Sequence, residues 1–169
     1  MSKETSLNSF LKLPVQETYD MEFIEKSIPH RPPFLLVDEI RVLEPRKKYI
    51  GVHHVRADEY YFKGHFPALP VMPGVLIVES MSQAFGGAAM QYVAKENSVP
   101  LFLSIEEAKF RGVVKPNDLL EMPIEILRLG KISKIRSEAY VNGKLCAQAT
   151  LNFILGEIPH DKHPSHSSH

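Results

Sequence analysis

Two side chains capable of proton transfer lie on either side of a loop rich in glycine and proline. His65 is part of the sequence GHFP at residues 64–67, and Glu79 follows in an apolar segment. An imidazole changes its charge near neutral pH and can take a proton from carbon. Apolar surroundings disfavour a charged carboxylate, so a glutamic acid there can donate a proton. The pair predicts acid–base chemistry, with His65 as the base and Glu79 as the acid.

Pro73 and Gly74 stand at the start of the segment that carries Glu79. Proline suits the first position of a helix, and glycine lets a ligand approach the backbone closely. The free N–H groups at a helix start carry the positive end of the helix dipole and can hold a carbonyl oxygen as it gains charge. Together with an acid and a base, they indicate loss of water from a 3-hydroxyacyl compound, which needs neither a metal nor an organic cofactor.

Each of these residues also has a purely structural interpretation. A histidine in a loop is commonly a surface residue, and a glutamate near a helix start commonly points into water. Gly74 can also serve only to turn the chain. The functional interpretation therefore depends on the combination of the three features.

A long helix is predicted over residues 75–95, which contain no proline and include good helix formers such as Leu76, Met81, Ala84, Ala88 and Ala89. The segment is apolar on nearly every face, as expected of a helix buried on most sides. Gln83 follows Glu79 by one helical turn and should share its face. The small side chains of residues 86–89 should let neighbouring segments come close.

Strands are predicted on both sides of this helix. Residues 34–43 and 48–55 precede it, together with a short helix capped by Asp20 and a single turn capped by Asp58. The region from residue 99 to 157 is strand-like throughout, and Asn142-Gly143 favours a two-residue hairpin. The last three strands should form an antiparallel meander. An α+β fold, with one antiparallel sheet wrapped around one long central helix, satisfies this order.

The folded domain is expected over residues 20–157. Residues 1–19 are weakly periodic and are predicted to be a flexible lead-in. Residues 158–169 have low complexity, with histidine at every third position, and are predicted to be disordered. Opportunistic metal binding by this tail is the alternative.

The overall composition excludes several classes of protein. A formal net charge of zero argues against a general nucleic-acid binder. Cys146 is the single cysteine, so no internal disulfide can form, and no spacing of cysteine and histidine is typical of a zinc site. Neither a signal peptide nor an apolar stretch long enough for membrane insertion is evident, so a cytoplasmic protein is expected.

The chain resembles the β-hydroxyacyl-acyl carrier protein dehydratases of bacterial fatty acid synthesis, of the FabZ type, which have the hotdog fold. The matching segments are HRPPFLLVD at residues 30–38, GHFP at 64–67, PVMPGVLIVE at 70–79 and MSQ at 81–83, with KFR at 109–111 and PND at 116–118. The resemblance covers residues 23–155 and is most specific over residues 65–83.

This resemblance implies roles for individual residues. It makes His65 the base and Glu79 the acid, with the Gly74 N–H bound to the thioester carbonyl. Further residues are expected to bind substrate: Phe66, Pro73 and Gln83. The resemblance also implies a homodimer in which His65 of one subunit meets Glu79 of the other, with further assembly into a trimer of dimers. A glutamate at position 79 resembles the dehydratase branch rather than the dehydratase-isomerase branch.

The implied partner is acyl carrier protein, an acidic protein that presents the acyl group on phosphopantetheine. Two stretches of the chain lack acidic residues and are suited to dock it. One runs from Lys109 through Arg111 to Lys115, and the other runs from Arg128 to Arg136 and contains Lys131 and Lys134. A solvated strand face is the alternative interpretation of both stretches.

Two rival functions remain at this stage. A hotdog thioesterase would use a helix carboxylate to activate water, and the GHFP motif with its pairing to Glu79 argues against it. A non-catalytic acyl-thioester sensor would need an output domain, and the segment before residue 20 is too short for one. The preferred acyl chain length stays open, including whether lipid A precursors are substrates.

Overall fold

The computed structural model describes residues 5–158, which form seven strands and two α-helices. Two short 3-10 helices, Leu7–Lys12 and Tyr60–Lys63, accompany them. In chain order the strands and α-helices are β1 (Glu17–Tyr19), α1 (Met21–Ser27), β2 (Glu39–Glu44), β3 (Lys48–His54), α2 (Gly74–Val93), β4 (Ser98–Phe110), β5 (Leu119–Arg128), β6 (Ile132–Val141) and β7 (Lys144–Glu157).

The strands form one antiparallel sheet in the order β1-β2-β3-β5-β6-β7-β4. The β6–β7 connection is the predicted hairpin, because Asn142 and Gly143 both have positive φ, 50° and 75°. Such a pair matches the right-handed twist of the flanking strands. The α+β hotdog fold and the meander of β5, β6 and β7 are therefore confirmed.

Helix α2 fills the concave side of the sheet. Met81, Phe85 and Ala88 have no exposed surface, and the ring of Phe85 stacks on Phe153 of β7 with 4.7 Å between centroids. Close approach depends on small residues, since a Cβ added to Gly51 of β3 would lie 2.5 Å from the Cβ of Ala84. Burying each large apolar side chain contributes about 1.5–3 kcal/mol, so the helix that carries Glu79 is firmly held.

Two local predictions near the site are wrong. The strand expected over residues 34–43 begins only at Glu39. Residues 34–38 form a loop because side chains of α2, rather than a neighbouring strand, bind their backbone groups. The turn predicted after Asp58 is a 3-10 helix that follows Glu59 and has no side-chain cap. The other cap is confirmed, since the Asp20 carboxylate accepts from the Phe23 N–H over 3.0 Å.

The predicted flexible lead-in is folded in the described residues. Leu7 and Phe10 are buried against Ile50 and Val52 of β3. The backbone N–H of Leu7 donates to the buried carboxylate of Glu138 over 2.9 Å. Strand β1 adds to the sheet beside β2. The expectation of flexibility up to residue 19 is corrected, because contacts with residues far along the chain order this segment.

Further predictions concern the C-terminal tail and membrane insertion. Of the predicted tail, residues 159–169 lie outside the described residues, so its disorder stays a prediction. Over residues 5–158, neither α-helix is both long and apolar enough to cross a membrane.

Candidate active site

His65 lies in the loop between the second 3-10 helix and α2. Its backbone N–H donates to the Tyr61 carbonyl over 2.9 Å, which fixes the start of the loop. Its Nδ1 lies 3.0 Å from the Val71 carbonyl oxygen. A carbonyl oxygen can only accept, so Nδ1 carries the proton of the neutral ring. The lone pair is then on Nε2, which is the arrangement required of a base.

A cleft of about 410 Å³ opens beside His65 at the start of α2. Helix α2 begins at Gly74, and Pro73 is its N-cap rather than its first residue. The Leu76 and Ile77 N–H groups donate to the Pro73 carbonyl, whereas the first N–H group of a helix, here that of Gly74, has no partner within it. His65, Pro73 and Gly74 all line the cleft, so the structure brings the predicted base and the predicted carbonyl donor together.

Phe110 of β4 explains why residue 74 is glycine. A Cβ at Gly74 would lie 2.8 Å from two carbons of the Phe110 ring, which also lines the cleft. A side chain at position 74 would therefore displace this ring. Phe66, predicted to bind substrate, is half exposed and lies beside His65 with 4.0 Å between ring centroids. Its contact with substrate stays a prediction.

Glu79 lies one and a half turns along α2, and its side chain is 18% exposed. The amide nitrogen of Gln83 donates to Glu79 Oε1 over 3.0 Å. The same amide also binds the Phe34 carbonyl and the Leu36 N–H. Gln83 is 1% exposed and its polar atoms are occupied. The contact of Gln83 with substrate stays a prediction, and within this chain its amide supports the Glu79 carboxyl.

The structure does not bring His65 and Glu79 together within one chain. Glu79 is not among the residues that line the His65 cleft, and no ion pair or hydrogen bond joins the two across residues 5–158. The neighbour of Glu79 is instead His30, whose Nε2 lies 3.5 Å from Glu79 Oε1. The sequence shows His30 at the head of the HRPPFLLVD segment, but no role for it follows from the segment alone.

An ion cluster around the buried His53 lies at the start of the second 3-10 helix, whose N-cap is Glu59. His53 has no exposed surface and lies between two carboxylates, with Nδ1 2.8 Å from Asp38 and Nε2 3.2 Å from Glu59. Arg56 donates to Asp38 over 2.6 Å. Burial alone would raise the pKa of Asp38, but the hydrogen bonds from His53, Arg56 and the His54 backbone outweigh it and lower the pKa to about 2.

The first predicted docking stretch borders the His65 cleft. A second cavity, of about 430 Å³, is lined by Arg111, Lys115 and Lys144 and shares Gly112 and Val113 with that cleft. Lys109 lies near the end of β4, just before Arg111, and does not line the cavity. Arg111, Lys115 and Lys144 therefore line a cavity next to the candidate active site.

Cations of the second stretch are partly neutralised. Lys134 pairs with Glu106 over 3.3 Å, and Arg136 pairs with Glu125 over 3.0 Å. Lys131 shares its cavity with Glu157. The cavity of the first stretch also contains one carboxylate, that of Asp118, against the three cations Arg111, Lys115 and Lys144, so positive charge is in excess there. For metals, the described residues contain no group of three or more His, Cys, Asp or Glu side chains arranged to hold an ion.

Comparisons with known proteins show the family to which the chain belongs. The model of a family described as the FabA-like domain matches residues 28–150. The 3-hydroxyacyl-[acyl-carrier-protein] dehydratase FabZ of Desulforamulus reducens is 43% identical over 139 residues, which cover 82% of this chain and 98% of the relative. The chain belongs to the FabZ family. Another FabZ relative, from Clostridium botulinum, is 41% identical over 144 residues, covering 85% of this chain and all of the relative.

Two solved structures of low sequence identity share the fold of this chain. The dehydratase heterocomplex ApeI:P from Xenorhabdus doucetiae has a TM-score of 0.65 at 17% identity, covering 79% of this chain and 91% of that chain. A hypothetical thioesterase from Streptococcus pneumoniae, solved with coenzyme A, has a TM-score of 0.50 at 13% identity, covering 67% and 84%. At such identities the likeness shows the hotdog fold alone, so the fold by itself does not separate a dehydratase from a thioesterase.

Proposed function

We propose that this protein removes water from 3-hydroxyacyl groups on acyl carrier protein and forms trans-2-enoyl groups, as a hydro-lyase of fatty acid synthesis. The observation that carries this proposal is the His65 ring, whose Nδ1 lies 3.0 Å from the Val71 carbonyl oxygen and which lines the same cleft as Gly74. The FabZ relatives are named for this reaction, which supports the substrate class.

The reaction follows from the roles of three groups. The Gly74 N–H donates to the thioester carbonyl and stabilises the charge that develops on its oxygen. His65 Nε2 takes the proton from the α-carbon, and the Val71 carbonyl stabilises the imidazolium that results. The C–O bond at the β-carbon breaks while the Glu79 carboxyl protonates the leaving hydroxyl. Water departs, and the electron pair of the C–H bond becomes the new double bond.

We propose further that the working site is shared between two copies of the chain, with His65 of one and Glu79 of the other. The separation of these residues within one chain supports this proposal. Strand β4 is an edge of the sheet and exposes apolar side chains along its length: Leu101, Phe102, Leu103 and Ile105. An apolar edge strand favours pairing with another chain. Assembly of such dimers into a trimer of dimers is part of the same proposal.

The carrier protein is proposed to dock on the first basic stretch. Arg111 and Lys115 line the cavity that continues into the His65 cleft, and Lys109 precedes them on β4. An acidic carrier bound there would place its phosphopantetheine arm at the mouth of the cleft. With a single cysteine and a carrier-bound substrate, we assign the protein to the cytoplasm.

Turnover of purified protein on 3-hydroxyacyl carrier proteins of varied chain length tests the function. The expected result is enoyl product without release of free thiol. Release of thiol faster than enoyl formation would instead establish a thioesterase. Tight binding without turnover would indicate a sensor. His65→Ala and Glu79→Gln should each abolish dehydration while the oligomeric state and the thermal melt stay unchanged.

Mixed dimers test the shared site. His65→Ala and Glu79→Gln chains with different affinity tags are co-expressed, and the dimers that carry both tags are isolated. If the sites are shared across the interface, each mixed dimer has one site with both residues intact and one site that lacks both. Activity should therefore return to about half that of wild type. An inactive mixed dimer would show that each site is built from one chain.

A further inference from the structure

The hydrogen bond and the ion-pair contact that the Glu79 carboxyl makes within residues 5–158 both involve one of its two oxygens. Gln83 Nε2 donates to Oε1 over 3.0 Å, and His30 Nε2 lies 3.5 Å from the same atom. No hydrogen bond or ion pair to Oε2 occurs among residues 5–158. Oε1 of the carboxyl is therefore held by its neighbours, whereas Oε2 is left available for another group.

The surroundings of His30 determine which ring nitrogen carries its proton. Its Nδ1 is buried and has no hydrogen-bond partner in the described part of the chain. A proton on Nδ1 would make that atom a buried donor without an acceptor and would leave a lone pair on Nε2 facing a carboxyl oxygen. The neutral ring therefore keeps its proton on Nε2, the ring nitrogen that lies 3.5 Å from Glu79 Oε1.

The position of the His30 ring is fixed by its own neighbours. Its ring lies parallel to that of Phe34, with 6.3 Å between centroids. The Arg31 guanidinium donates to the carbonyl oxygens of His30, Ile28 and Glu25 and thereby anchors this segment to α1. The imidazole is consequently held against Glu79 by packing and by the backbone.

We propose that His30 is a positioning residue for Glu79. Together with Gln83 it directs two N–H groups at Oε1, so the acidic proton stays on Oε2 and faces the β-hydroxyl. When the Oε2–H bond breaks and water leaves, the same two N–H groups stabilise the carboxylate that remains. This inference rests on the proposed function for its catalytic meaning, but the hydrogen-bond arrangement can be measured without any substrate.

The tautomer of His30 is the first test. Protein labelled with ¹⁵N-histidine is measured by long-range ¹H–¹⁵N NMR at a pH at which the ring is neutral. The His30 signals are identified by their loss in His30→Gln. We expect the proton on Nε2, and a proton on Nδ1 would overturn the proposal. Because no turnover is involved, this result stands even if wild-type protein fails to dehydrate its substrate, which would refute only the proposed function.

The second test compares two substitutions of His30. His30→Leu removes the N–H group at similar volume and should lower kcat about 10- to 100-fold with little change in KM, because the acid is misplaced. His30→Gln restores an N–H donor and should recover most of kcat. Loss of fold is checked by thermal melts and gel filtration. Full activity of His30→Leu, or equal losses in both variants, would contradict the role of the N–H group.

Discussion

The amide of Gln83 joins the Glu79 carboxyl to the loop that precedes β2. Its nitrogen donates to Glu79 Oε1 over 3.0 Å and to the Phe34 carbonyl over 2.8 Å, and its oxygen accepts from the Leu36 N–H over 2.6 Å. The Ser80 hydroxyl also links this loop to α2, because it donates to the Leu36 carbonyl over 2.5 Å and not to the Glu79 carboxyl. The Glu79 carboxyl is therefore oriented by a contact between segments far apart in sequence.

This arrangement predicts different effects for two neighbouring substitutions. Gln83→Leu should lower the free energy of unfolding by about 1–3 kcal/mol, because buried backbone groups lose their partners. It should also lower kcat about 10- to 100-fold, because Glu79 loses its support. Ser80→Ala, the matched control, should lose stability but keep kcat. Urea unfolding and steady-state kinetics measure both quantities, and an equal loss of kcat in the two variants would refute the specific role of Gln83.

Gly74→Ala is predicted to act through Phe110. The added methyl would lie 2.8 Å from the ring, so the ring and the adjacent N–H group must move apart. We expect kcat/KM to fall about 10- to 100-fold, since a carbonyl donor loses its position. The double variant Gly74→Ala/Phe110→Ala should recover part of the lost kcat/KM. The single variant Phe110→Ala completes the double-mutant cycle. Purely additive effects would show that the two residues do not interact.

Asp38 should make stability depend on pH in the acid range. Its pKa is about 2 in the folded protein and 3.8 ordinarily, so its charged form favours folding above the ordinary value. This contribution disappears as pH falls towards 2. Asp38→Asn should lower the free energy of unfolding by about 1–2 kcal/mol near neutral pH and by much less near pH 2. Solvent screens part of the interaction, because Arg56 is half exposed. Urea midpoints across this range measure it, and a cost independent of pH would exclude ionisation as its source.

Charge reversal distinguishes the two candidate docking stretches. Arg111→Glu and Lys115→Glu should raise KM for carrier-bound substrate about tenfold, because charges at a docking surface steer the encounter. KM for a short pantetheine thioester should not change. Lys131→Glu, on the other stretch, is the control and should leave both values unchanged. A larger effect of Lys131→Glu would move the docking surface to that stretch.

Local signals in the sequence predicted much of this protein. The apolar, proline-free segment predicted α2, and Asn142-Gly143 predicted the β6–β7 hairpin, because both depend on residues close together in the chain. The residue types of His65, Gly74 and Glu79 likewise indicated the chemistry, and the relatives agree with it. Periodicity and turn chemistry suffice for such features.

Tertiary structure decided the features that depend on distant contacts. Residues 34–38 are apolar enough for a strand, but α2 binds their backbone groups and makes them a loop. The lead-in is ordered by Glu138, which lies far along the chain. The approach of His30 to Glu79, and the separation of Glu79 from His65 within one chain, likewise arise from packing. The sequence by itself determined which groups can move protons, whereas only the folded chain determined which of them meet, because side-chain distances depend on contacts that no local pattern encodes.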